Sequence, residues 1–315
     1  MSAPARGRWE RVGEVGSDWA LRHGAALMQR LGPRGRGALL WCASLYFALR
    51  NGPTRRGSLQ YLEHVHALPE GARVLGAAPG LALVLRHFQH FGSSIYDRIL
   101  LWGGALDRMQ IRKDRTQEFF RLAEQGRGAL LLGAHIGSID MLWFLSREYD
   151  LVVNVVVFFQ NAERINTFFQ SRSPGTKLRA IELDPASVRA AFQIKACLER
   201  GEFVVMLADR LPPGRAARSA KVPFLGEAAR FPLTPFLIAA VLGSPVLLTV
   251  CLREGPERYD SVLRVLHEGG RIARSERDAW AHELLATYVR EIEAICLAHP
   301  LQWFNFFEFW EGADA

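Results

Sequence analysis

From residue 127 onward the chain repeats one texture: short apolar runs separated by turn residues or by segments with helical spacing. The runs are GALLLGAH (128–135), LVVNVVVFF (151–159), KLRAIEL (177–183), EFVVMLAD (202–209) and PVLLTVCL (245–252). Short apolar runs of this kind read as buried strands, KLRAIEL with a looser alternation than the others. Between them, Asp184-Pro185 predicts a helix start, with Asp as N-cap and Pro at the first helical position, and Gly201 marks its end. Val188, Phe192 and Leu198 are expected on the buried side of that helix. RLPPGRAARSAK (210–221) reads as a basic, turn-rich loop. Thr234-Pro235 opens a helix that closes at Gly243, and a last helix is expected from Arg277 to Ala298. The expected fold class is therefore α/β: a mixed, largely parallel sheet flanked by helices, with a mostly helical N-terminal part.

The N-terminal part comprises residues 1–115, where SLQYLEHVHAL and GLALVLRHFQHFGSSIYDRILLWGG carry apolar residues at helical spacing. Residues 116–315 form the α/β core, and the two parts are expected to make one integrated domain. The run ALLWCASLYFAL (38–49) is shorter than the ~20 apolar residues that a bilayer span needs. Arg34 and Arg36 precede it, and Arg50, Arg55 and Arg56 follow. Two readings stay open: an ordinary buried helix, or a helix on a membrane surface with arginines on headgroups and Trp41 and Tyr46 at the interface.

Composition narrows the partners. The 315 residues are 49% hydrophobic, enough for a large core, and the net charge is +7. A basic surface suits nucleic acid, an anionic membrane or an acidic protein. There is no zinc-finger spacing, RRM signature or KH-like loop, so nucleic acid is not expected. Cys42, Cys197, Cys251 and Cys296 are widely spaced and read as buried thiols in a reducing compartment, not as disulfides or metal ligands. Residues 1–30 are charged throughout and lack a signal-peptide core. His87 and His90 have possible metal spacing, but HFQHF reads more simply as a packed amphipathic face, so no metal and no cofactor is expected. No P-loop, no G-x-G-x-x-G after a strand and no G-x-S-x-G elbow is present.

In α/β sheets, chemistry gathers at the carboxyl ends of strands. His135 stands at one such end, and Asp140 follows five residues later. With His135 in the turn and a helix starting near Ser138, Asp140 can fold back and orient the imidazole as a general base. The amides of Gly137 and Ser138 could then stabilise developing negative charge. The competing reading is a capped helix, with Ser138 as N-cap, Asp140 on the helix dipole and His135 filling space. The six aromatics of QWFNFFEFW (302–310) read as core packing, or else as the wall of an apolar groove.

The order of blocks carries a resemblance. His135-x-x-x-x-Asp140, a strand ending at Asp209-Arg210, and VPFLGEAARFPLTP after it are similar to the lysophospholipid acyltransferase superfamily. The chain looks most like its lipid A late acyltransferase branch, in particular the acyltransferases associated with aryl-polyene-type pigment clusters. ASLYFALRNGPTRRGSLQYL, RHFQHFGSSIYDRILLWGG, AERIN and QWFNFFEFW extend the likeness over most of the chain. It implies that His135 is the general base, that Asp140 holds its imidazole, and that Asp209 and Arg210 lie near the acceptor or its phosphate. It further implies that Val222 to Gly226, including Phe224, line or support the acyl site, and that Arg164 meets a phosphate. Relatives with glycerol phosphate acceptors carry an E-G-T-R-like block where this chain has LADRLPPG, so the acceptor is not expected to be read in the same way. The implied activity is acyl transfer from a thioester, on acyl carrier protein or CoA, to a hydroxyl or amine of a lipid or glycolipid. The implied place is the cytoplasmic face of the inner membrane, peripherally attached to its anionic surface. The rival is a non-catalytic lipid- or carrier-protein-binding module on the same fold.

Overall fold

The computed structural model describes residues 31–102, 108–115, 117–138, 140, 146–147, 149–157, 177–182, 189–211 and 218–310. Four helices come first: α1 (Pro33–Arg50), α2 (Gly52–Ala67), α3 (Pro69–Leu75) and α4 (Leu81–Trp102). Then follow β1 (Gln110–Arg115), α5 (Gln117–Glu124), β2 (Leu130–Gly137), β3 (Val153–Val157), β4 (Leu178–Glu182), α6 (Arg189–Glu199) and β5 (Phe203–Leu207). The chain continues through β6 (Ser219–Phe224), β7 (Glu227–Pro232), α7 (Thr234–Leu242), β8 (Val246–Gly255), β9 (Arg258–His267) and α8 (Arg277–Ala298).

Seven strands make one sheet in the order β1-β9-β8-β2-β5-β3-β4. All neighbours run parallel except β8 and β9, so the sheet is mixed and largely parallel, as the apolar runs predict. β6 and β7 form a separate antiparallel hairpin. Its two-residue turn has both Leu225 (φ 51) and Gly226 (φ 84) in the left-handed region, which the right-handed twist of hairpin strands favours.

β2 lies inside the sheet between β8 and β5. Leu130, Leu132, Ala134 and Ile136 join the core cluster that contains Leu285 and Tyr288 of α8, while Leu131 joins the cluster of Phe119 and Leu122 of α5. Fully burying a leucine contributes ~1.5–3 kcal/mol. β2 is thus gripped from both faces and gives whatever projects from its end a rigid base.

Several local expectations change. The sheet begins at β1, well before residue 127, and β1 is missed because QIRKDR carries a single apolar residue; such charge is typical of an edge strand. Phe192 points outward at 68% exposure; Ala190, Ile194 and Cys197 form the inner face of α6, with Leu198 half-buried. Asp184, Pro185 and Val188 lie outside the described residues. Cys197, Cys251 and Cys296 are buried thiols, but Cys42 is exposed on α1. That helix is not an ordinary buried one. It packs Ala48 inward and leaves Trp41, Tyr46 and Leu49 at 49%, 55% and 63% exposure. Among the described residues, no helix is long and apolar enough to cross a membrane.

Candidate active site

The carboxyl end of β2 is built from segments far apart in sequence. Gly133 is its last residue paired with β5, opposite Leu207. Beyond that point Gln302–Phe304 docks along the edge that β5 leaves. Ile136 bridges antiparallel to Trp303. The Gly137 N–H donates to the Gln302 carbonyl at 2.9 Å, and the Phe304 N–H donates to the His135 carbonyl at 2.8 Å. On the other edge the Ser138 N–H donates to the Cys251 carbonyl at 2.8 Å. Gly137 has φ 62, and a Cβ there would stand 2.0 Å from the Cys251 oxygen, so no side chain fits this close crossing. The backbone carrying His135 is therefore pinned on both sides.

Asp209, just past the end of β5, faces His135. Its Oδ1 lies 2.8 Å from His135 Nδ1. Its Oδ2 accepts the His135 backbone N–H at 2.9 Å and the Trp303 indole N–H at 2.9 Å. The carboxylate is fully buried, at 0% exposure. Burial pushes its pKa up, but the charge and hydrogen bond of His135, the Arg210 cation and the Trp303 N–H outweigh that and hold it below the ordinary carboxylate range. An ionised carboxylate at Nδ1 keeps the ring proton there and leaves the lone pair on Nε2. Nε2 hydrogen-bonds nothing among the described residues. One edge of the ring is open, at 34% exposure. Burial of the rest lowers the imidazole pKa, helped by Arg210 and Arg98 and opposed by Asp209. The ring is then neutral near pH 7, the state a proton acceptor needs.

Asp140 is placed elsewhere. Its Oδ2 accepts from Nε of Arg98, on α4, at 2.6 Å. The reason is the length of β2, which runs through His135 to Gly137. His135 is a strand residue, not a turn residue, and Asp140 lies beyond the strand end, within reach of α4. The expected role of the Gly137 and Ser138 amides also fails, because both N–H groups are spent on backbone carbonyls. The Ser138 hydroxyl is buried and has no hydrogen-bond partner among the described residues.

Arg210 donates from Nη2 to the Phe304 carbonyl and lies over the Phe307 ring at 5.5 Å. It braces the same residue whose N–H holds the His135 carbonyl, and its buried Nε has no partner among the described residues. Phe224 is fully buried, edge-on to Trp303 and stacked on Trp310. Gly226 shapes the hairpin turn beside it. Arg164 lies outside the described residues. The structure thus gathers His135, Asp209 and Arg210, backs them with Phe224 through Trp303, and sets Asp140 with Arg98 to one side.

Two supporting residues escape sequence reasoning. Trp303, at 0% exposure, is hidden among the terminal aromatics, although a buried indole N–H needs an acceptor and so signals one. His87 fixes its other end: Nε2 meets the Trp303 carbonyl and Nδ1 the Ser58 hydroxyl, each at 2.9 Å. Burial lowers the His87 pKa to about 3, so its ring is a neutral core group, as the packed-face reading of HFQHF expects. Among the described residues, no three His, Cys, Asp or Glu side chains converge as a metal site would require.

The model of one protein family, described as bacterial lipid A biosynthesis acyltransferase, matches residues 81–311. That span includes His135, Asp209, Arg210, Trp303 and the other residues just described, Ser58 excepted. No curated protein matches the chain.

Proposed function

The chain belongs to the bacterial lipid A biosynthesis acyltransferase family, and from that premise we propose that it moves an acyl group from a thioester to a hydroxyl or amine of a lipid or glycolipid, with His135 as general base. The observation that carries this reading is the partly exposed His135 ring, held at Nδ1 by buried Asp209, with Nε2 bonded to no described residue. Nε2 takes the proton from the acceptor as its oxygen or nitrogen bonds to the thioester carbon. The carbonyl electrons move to oxygen. When they return, the carbon–sulfur bond breaks and the thiolate leaves, taking the proton from the imidazolium. Asp209 stabilises that imidazolium and keeps the ring in one tautomer. Arg210 and Arg98, whose charges reach the ring, add positive potential where the oxyanion develops, Arg98 while paired with Asp140. A thioester needs no metal for this, because the sulfur leaves readily once the oxyanion is stabilised.

The donor is an acyl carrier protein, whose acidic surface suits the net charge of +7, or CoA; the acyl group is fatty or aryl-polyene in type. The exposed Trp41, Tyr46 and Leu49 of α1, with Arg34, Arg50 and Arg56 exposed around them, support peripheral attachment to the anionic cytoplasmic face of the inner membrane. Purified protein offered acyl-carrier-protein and CoA thioesters, with thiol release and lipid mass spectrometry as readouts, tests the reaction. Turnover lost in His135→Ala supports it. A protein that binds acyl carrier protein yet turns over neither thioester would be the non-catalytic module instead.

A further inference from the structure

A pocket of about 180 Å³ opens between α3, α4 and the segment that follows α8. That is room for on the order of ten water-sized atoms. Val74 and Leu75 of α3 form an apolar wall, Arg86 and His90 rise from α4, and His299 and Gln302 close the far side. Arg86 and His90 are four positions apart on one helix, so they share a face.

The charges are one-sided. Among the described residues, no carboxylate lines the pocket. The side chains of Arg86, His90 and His299 make no hydrogen bond or ion pair with another described residue. The nearby Arg253 is already neutralised by Asp97, at 2.7 Å. Burial first, and then the Arg253 and Arg86 cations, lower the pKa of His90. The floor is rigid: Gln302 Oε1 accepts the Arg253 N–H at 2.7 Å, and its Nε2 donates to the Arg253 carbonyl at 3.0 Å. The Gln302 carbonyl also holds Gly137, so the pocket shares a wall with the end of β2 but has its own lining.

We propose that this pocket binds a phosphoryl group, with Arg86 as the guanidinium fork, His90 and His299 as flanking donors, and Val74 and Leu75 against the group that the phosphate is attached to. Arg matches phosphate geometry with two parallel N–H bonds, and a bound anion gives the Arg86 guanidinium a partner. The assignment rests on the pocket alone and stands whether or not the chain transfers acyl groups. The phosphate comes either on a lipid headgroup or on a soluble molecule.

Calorimetric titration of the full chain with inorganic phosphate, in chloride of matched ionic strength, tests it. Saturable binding is expected, weakened about ten-fold or more in Arg86→Gln and in His299→Gln, the loss of one charge-assisted hydrogen bond. Arg264→Gln, which breaks the surface pair with Glu291, and His135→Ala should leave it unchanged. A second arm compares dihexanoyl phosphatidic acid with dihexanoyl phosphatidylcholine. Tighter binding of the phosphatidic acid than of phosphate, weakened by Arg86→Gln, identifies a lipid headgroup as the source; equal binding identifies a soluble phosphate. The proposal is overturned if neither probe binds above chloride. It is equally overturned if both pocket variants, folded by circular dichroism, bind as the wild type does, or if His135→Ala removes the signal.

Discussion

Trp303 donates its indole N–H to Asp209 at 2.9 Å across 94 positions of sequence, and the oxygen it reaches also holds the backbone of His135. The terminal aromatic segment therefore belongs to the site: it positions the carboxylate that positions the base. Trp303→Phe keeps most of the ring packing and removes this one bond. A hydrogen bond to a charged group is worth ~1.5–3 kcal/mol, so thermal or urea unfolding should show a loss of that size. An unfolding curve that matches the wild type would mean that Asp209 does not need the third donor.

Asp209→Asn and Asp140→Asn separate the two carboxylates. An amide at 209 cannot stabilise the imidazolium and can hold the wrong tautomer, so acyl transfer should fall by ~10²–10⁴-fold. An amide at 140 removes the charge facing Arg98 but leaves the pair of His135 and Asp209 intact. Its loss should stay below about ten-fold, since general-base catalysis itself is untouched. Parallel kcat/KM measurements decide; the opposite ranking would return the role of ring partner to Asp140.

The pairing of His135 with Asp209 shows what a sequence can and cannot disclose. The strands are legible because buried parallel strands are uniform apolar runs, and His135 is legible because a histidine interrupts one of them. Asp209 stands out as an acid at a strand end, but its partner does not, because a spacing of five favours Asp140 locally. What brings position 209 to position 135 is the adjacency of β2 and β5, a contact over 74 positions set by strand order. β1 is invisible for the opposite reason: its charged sequence carries no apolar period. Trp303 and His87 are masked by the many aromatic and apolar neighbours that make either look like plain core.

Stability should depend on pH through His87. Its pKa is about 3 in the fold, against ~6.5 in an unfolded chain. Between those values the unfolded state binds more protons, so stability rises with pH. The contribution of the neutral ring is complete above ~6.5 and is lost as pH falls toward 3, by several kcal/mol in all. His135, also lowered, acts in the same direction, and Asp209, held low, adds its loss at still lower pH. Melting temperatures at pH 7, 6, 5 and 4 should therefore fall steadily, and His87→Gln should flatten that slope without abolishing it. A variant with the full wild-type slope would show that His87 is not the group that titrates.

The proposed membrane contact rests on α1, where Trp41, Tyr46 and Leu49 are exposed. An aromatic pair with flanking arginines suits the boundary between headgroups and acyl chains. Each arginine near an anionic surface should contribute ~1 kcal/mol, weakened by salt. In flotation with vesicles, phosphatidylglycerol should recruit the protein and phosphatidylcholine should not, and salt should release it. Trp41→Ser should weaken recruitment at any salt, because it removes apolar area. Arg50→Gln should weaken it at low salt and matter little at high salt, because it removes charge alone. Recruitment indifferent to lipid charge, to salt and to both substitutions would mean that this face of α1 meets something other than a membrane.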